Sequence, residues 1–64
     1  MLSNLKRARL LQSKTQFDLM LESGVHQTLI SLFENNYKEP TEDQKKKLAR
    51  ALKASEKELF PEEN

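Results

Sequence analysis

Sixty-four residues confine the chain to one domain with a thin core, since a domain of this size buries only about 60% of the surface its unfolded form exposes. Cysteine is absent, which excludes disulfides and cysteine-ligated zinc. No apolar run approaches the roughly 18 residues of a membrane span and no signal-peptide pattern is visible, so a soluble, cytoplasmic protein is expected. Charged residues make up 33% of the chain, yet the net charge is only +1. The charges fall in blocks. Lys6, Arg7, Arg9 and Lys14 stand without an acid in the first sixteen residues, and Lys38 is the only base from 17 to 40. Basic residues then outnumber Glu42 and Asp43 up to residue 53, and glutamates outnumber Lys57 beyond it. Such a chain can still present a basic face, because an anionic partner responds to local potential.

Helix formers dominate, and helix starts can be read in chain order from their caps. Ser3 ahead of Leu5 and Ala8 predicts a first helix over residues 3–12. Thr15 and Asp18 form a T-x-x-D start to a second, over 15–23, with Leu19, Met20 and Ser23 on one face. Gly24 is the only glycine in the chain. It stands one step past that helix, where the backbone turns left-handed and only glycine enters without steric cost. A turn of about three residues then forces the next helix, over 26–35, to cross at a large angle, as in a helix-turn-helix. Ile30 and Phe33 face back toward Leu19, and Val25 plugs the corner. Directly after Pro40, Thr41 and Gln44 make a capping box for a fourth helix over 41–53, which buries Leu48, Leu52 and either Ala49 or Ala51. Ser55 and Glu58 start a fifth over 55–60, which Pro61 stops. The expectation is an all-α domain over 1–60 of five compact helices, followed by a short, frayed acidic tail over 61–64.

The same residues carry a resemblance. Thr15-Gln16-x-x-Leu19, Gly24-Val25, Ile30-Ser31, Glu34-Asn35 and Pro40 resemble the helix-turn-helix domain of phage repressors and Cro proteins, the Xre type. The likeness continues through Leu48-Ala49-x-Ala51-Leu52 and Glu58-Leu59-Phe60, in one register with no insertion. It implies a lambda-repressor-like fold whose third helix enters the major groove of double-stranded DNA. It also implies a sequence-specific transcriptional regulator, repressor-like, acting as a homodimer. A recognition helix presents its first residues to base edges, while the preceding helix points its N-terminus at the backbone. On that basis Gln27, Thr28, Ser31 and Leu32 are expected to read bases. Glutamine can pair with adenine, and threonine or leucine can meet a thymine methyl. Gln16, His26, Asn35, Tyr37 and Lys38 are expected to hold the phosphate backbone. Arg9 and Glu34 occupy positions that hold an interhelical ion pair in the family, and are expected to be structural.

Several residues depart from the family pattern. His26 stands at the N-cap of the third helix, where serine or threonine is usual, and histidine is a poor cap. Met20 replaces a close-packing alanine, Lys14 a leucine, Lys45 an apolar residue, and Asn36 a frequent glycine. Phe17 and Leu21, one turn apart on the outer side of the second helix, replace polar residues. Either they pack on each other or on Leu10 and Leu11, or with Leu32 they form an exposed apolar patch of the kind that marks protein contacts. Leu59 and Phe60 are the other expected contact residues for a partner chain. These features keep a second function open, an antitoxin or adaptor module on the same scaffold. Catalysis has little support in one histidine and no acid pair with a plausible pocket, and neither a metal nor another cofactor is expected.

Overall fold

Each helix begins where a side chain can satisfy one of its orphan amides. The computed structural model describes residues 2–61. Helix α1 spans Asn4–Leu11, α2 Gln16–Ser23, α3 Gln27–Glu34, α4 Glu42–Leu52 and α5 Glu56–Leu59. Ser3 Oγ accepts from the Lys6 amide at 3.1 Å. Three full capping boxes follow, in which the cap hydroxyl accepts from the third helical amide and that residue's side chain accepts from the cap amide. Thr15 and Asp18 bond at 3.0 and 2.9 Å, Thr41 and Gln44 at 3.2 and 2.9 Å, and Ser55 and Glu58 at 3.1 and 2.9 Å. Every helix starts one residue later than expected, and all but α2, which ends at Ser23 as expected, stop one residue earlier, because the caps themselves stand outside the helical geometry.

The helix ends use left-handed residues. Gly24, at φ +79°, closes α2 with its amide on the Met20 carbonyl at 2.8 Å. Asn36 takes φ +60° after α3, consistent with the tolerance of asparagine for this region. Ser13 and Lys53 take φ +56° and +54° with no such tolerance, and nothing in the sequence signalled either.

The core consists of Leu5, Leu19, Val25, Ile30, Phe33, Leu48, Ala49, Leu52 and Leu59. All four residues assigned to the corner between α2 and α3 are in it. Helix α2 packs on both α3 and α4, α1 on α3 and α5, and α5 on α4. The radius of gyration is 10.3 Å, close to the roughly 11 Å of a well-packed globule of this length. Met20, half-buried, packs against the core from α2 and fills the place of a smaller residue.

One expectation is corrected here. Leu59, assigned to a partner contact, is 4% exposed and belongs to the core. The capping box of α5 rolls this single turn so that Leu59 points inward and Phe60 lies at the edge, half-buried. Lys45 reaches over the Phe60 ring, 5.9 Å from its centre, and lies 3.7 Å from Glu42. A lysine at an apolar position of α4 is thereby accommodated by laying its stem along the surface. Residues 62–64 of the expected acidic tail lie outside the described residues.

Candidate nucleic-acid interface

Three residues, Gly24, Val25 and His26, separate α2 from α3. Val25 is buried and anchors the corner from inside, while its amide donates to Ser23 Oγ at 3.0 Å. Ile30 and Phe33 turn one side of α3 into the core, which sends its first turn outward. Thr28 is exposed there, Gln27 is half-exposed, and neither side chain has a hydrogen-bond partner among the described residues. Ser31 and Leu32 are half-exposed further along the helix. The four residues expected to read bases therefore lie on α3 with accessible side chains, and three of them, Gln27, Thr28 and Ser31, offer polar groups uncommitted among the described residues.

His26 caps α3 after all. Its backbone is extended at φ −59° and ψ 142°, and Nδ1 accepts from the Thr28 amide at 3.1 Å. An unprotonated ring nitrogen can stand in for a hydroxyl oxygen at this position, which residue-type preference for caps does not capture. At the other end of α3, Asn35 donates from Nδ2 to the Ser31 carbonyl at 2.9 Å and closes the last turn. Tyr37, 80% exposed, and Lys38 follow in the loop to α4, and neither side chain has a partner among the described residues.

A buried polar network ties this surface to the rest of the domain. Arg9 and Glu34 are 6% and 5% exposed. Arg9 Nε donates to Glu34 Oε2 at 2.6 Å and Nη2 to Oε1 at 3.0 Å, a forked pair. Arg9 Nη1 also donates to the Lys14 carbonyl at 2.7 Å, which holds the loop before α2. Gln16, first residue of α2, donates from Nε2 to Glu34 Oε1 at 3.0 Å. Three segments thus converge on one carboxylate: the end of α1, the start of α2 and the end of α3. A carboxylate only accepts, so the amide nitrogen of Gln16 must face it. One N–H of Gln16 is committed there, and the second is left for another acceptor. No local pattern signals this bond, because its partners lie eighteen residues apart.

The start of α2 is held independently. The Asp18 carboxyl lies below its ordinary value of 3.8, chiefly because the Thr15 amide donates to it, then because of the Thr15 hydroxyl, with Lys14 adding a smaller attraction. Lys14, placed where an apolar residue is usual, bonds Glu22 at 2.5 Å and the Ala51 carbonyl at 3.3 Å, so it bridges α2 to the end of α4.

The apolar residues outside the core do not cover one another. Phe17 is 51% exposed and Leu21 66%, while Leu10 and Leu11 at the end of α1 are 47% and 78% exposed. Leu32 is half-buried. Phe17 and Leu21 lie one turn apart on the side of α2 opposite Leu19 and form an apolar strip beside the helix-turn-helix.

No curated protein and no solved structure matches the chain. A family model described as helix-turn-helix matches residues 5–59, from the first core leucine of α1 to the last of α5. That span contains the corner at Gly24, the exposed first turn of α3 and the Arg9–Glu34 tie, and it is most of the molecule: the chain belongs to the helix-turn-helix family of the Xre and phage-repressor type, a family of DNA-binding domains.

Proposed function

We propose that the protein is a sequence-specific regulator that binds double-stranded DNA with α3 in the major groove and acts in a repressor-like manner through site occupancy. One observation carries this reading. The first turn of α3 stands clear of the core behind a three-residue corner, with Gln27 and Thr28 accessible and uncommitted. Gln27, Thr28, Ser31 and Leu32 read base edges in this account. Gln16, His26, Asn35, Tyr37 and Lys38 hold the phosphates and set the register. The free N–H of Gln16, at the positive end of α2, suits a phosphate oxygen. Arg9 and Glu34 are structural, because their charges are spent on each other and on the Lys14 carbonyl.

A single copy offers a small interface, and affinity and specificity rise when two copies occupy half-sites about 34 Å apart. We infer a homodimer on DNA. With Leu59 in the core, the partner surface is assigned to Phe60 or to the strip of Phe17 and Leu21. Selection of bound duplexes from a random pool tests the proposal. Enrichment of a common motif, repeated with two-fold symmetry, is the expected result. A pool that stays random after repeated rounds overturns it.

A second reading draws on the exposure of Phe17 and Leu21, which a domain bound only to DNA has no use for. In it, the helix-turn-helix is an adaptor or antitoxin module whose α2 strip seats a protein. Salt separates the two readings. Binding through several phosphates weakens linearly in log K against log salt, and apolar docking does not.

A further inference from the structure

The bond that starts α3 also fixes the chemistry of the ring that makes it. His26 Nδ1 accepts from the Thr28 amide at 3.1 Å. A ring nitrogen that accepts holds no proton, so the neutral imidazole carries its proton on Nε2. His26 is exposed, and no other hydrogen bond or ion pair of its side chain exists among the described residues. The charged side chains of the two helices that His26 joins are already engaged, Asp18 with the Thr15 amide. Glu22, at the end of α2, bonds Lys14, and Glu34, the only charged residue of α3, bonds Arg9 and Gln16. The Nε2–H is therefore an uncommitted donor at the outward-facing head of α3. A serine cap would satisfy the same amide with a side chain that ends there. The imidazole satisfies it and extends a donor beyond it.

We propose that His26 is a donor-only contact to DNA: its cap bond consumes the ring's acceptor and leaves Nε2–H to seek an acceptor atom on the duplex. The ligand chemistry is an exposed acceptor with no competing donor, either a phosphate oxygen or the N7 of a purine. The exocyclic amines of cytosine and adenine do not fit, because the ring has no free lone pair to receive them. This inference rests on the reading of α3 as the helix that faces DNA, and it deepens that reading.

The experiment has two arms. The chain contains one histidine, so long-range nitrogen–proton correlation on the free protein at neutral pH reports a single imidazole without assignment ambiguity. A spectrum with Nε2 protonated and Nδ1 bare is expected. A protonated Nδ1, or two tautomers in comparable amount, overturns the proposal with no reference to DNA. In the second arm, His26→Ser keeps a cap acceptor and removes the ring. On the duplex recovered by selection it is expected to bind about threefold to tenfold more weakly than the parent, the worth of one hydrogen bond. Methylphosphonate at single positions, and 7-deazapurine at others, then locate the acceptor. One such substitution is expected to weaken the parent and leave His26→Ser unchanged, and its type says which source is used. Equal binding by parent and His26→Ser, or no substitution that cancels their difference, overturns the contact. If the parent selects no duplex at all, the DNA reading fails and takes the contact with it, while the tautomer still answers to the first arm.

Discussion

Glu34→Ala is the substitution to which this fold is expected to be most sensitive outside its apolar core. Glu34 and Arg9 are 5% and 6% exposed, and the carboxylate receives two bonds from Arg9 and one from Gln16. Alanine leaves the guanidinium buried with only the Lys14 carbonyl, and leaves Gln16 without its partner. Removing one member of a buried pair costs about 3–5 kcal/mol, most of it the desolvation of the charge left behind. A 64-residue domain has about 3–10 kcal/mol in total, so the variant should lose about three-tenths of its stability at the least. With a urea slope of about 1 kcal/mol per molar, the midpoint should fall by about 3 M, or the chain should be unfolded without denaturant. Arg9→Met together with Glu34→Leu removes both charges and refills the volume. It should recover at least half of that loss, since replacing a whole buried pair with apolar groups is often near neutral. Urea melts followed by circular dichroism measure both. A loss below about 1 kcal/mol for Glu34→Ala, or a double variant no better than the single one, refutes the argument that burial makes this pair costly to split.

Other outcomes follow from the caps, the corner and the proposed interface. The Asp18 carboxyl is held below its ordinary value by the Thr15 amide. Its contribution is thus present above the unfolded value, near 4, and disappears as pH falls through the lower folded value. Urea midpoints should decline on that acid limb, and Asp18→Asn should flatten the decline while leaving the slope at neutral pH unchanged. Gly24 has φ +79° and open space where a Cβ would stand. Gly24→Ala should therefore cost only the backbone term, about 1 kcal/mol, seen as a fall of about 4–8 °C in melting temperature. Gln27→Ala should relax base preference at one position of the selected motif. Lys38→Gln should instead weaken all duplexes alike and reduce the salt slope by about 1, both measured by fluorescence anisotropy.

The parts of this structure that could be read from the chain are those set by neighbours in sequence. Four caps, at Ser3, Thr15, Thr41 and Ser55, lie within three residues of the amides they serve, so local chemistry alone located four helix starts. Gly24 was legible for the same reason, since its conformation follows from the missing Cβ. The Arg9–Glu34 pair spans twenty-five residues, and only the resemblance to repressor domains suggested it. Where neither locality nor resemblance helped, the reading fell short. The bond from Gln16 to Glu34 depends on how α2 and α3 cross. The burial of Leu59 depends on the roll of a helix only four residues long. The cap position of His26 was legible, but its bond was not, since it uses a ring nitrogen in a role that residue-type preference assigns to hydroxyls and carboxylates. The exposure of Leu10 and Leu11 likewise follows from which side of α1 meets α3 and α5.

Where a duplex touches the chain decides whether α3 is the DNA-facing helix. Titrating the uniformly labelled protein with its selected duplex, and following every backbone amide and glutamine side-chain amide, gives that footprint in one series. The largest shifts are expected at His26, Gln27, Thr28, Ser31 and Leu32, with a second group at Gln16 and from Asn35 to Lys38. Shifts centred on α4 and α5, or on Phe17 and Leu21 with the first turn of α3 unmoved, would contradict it.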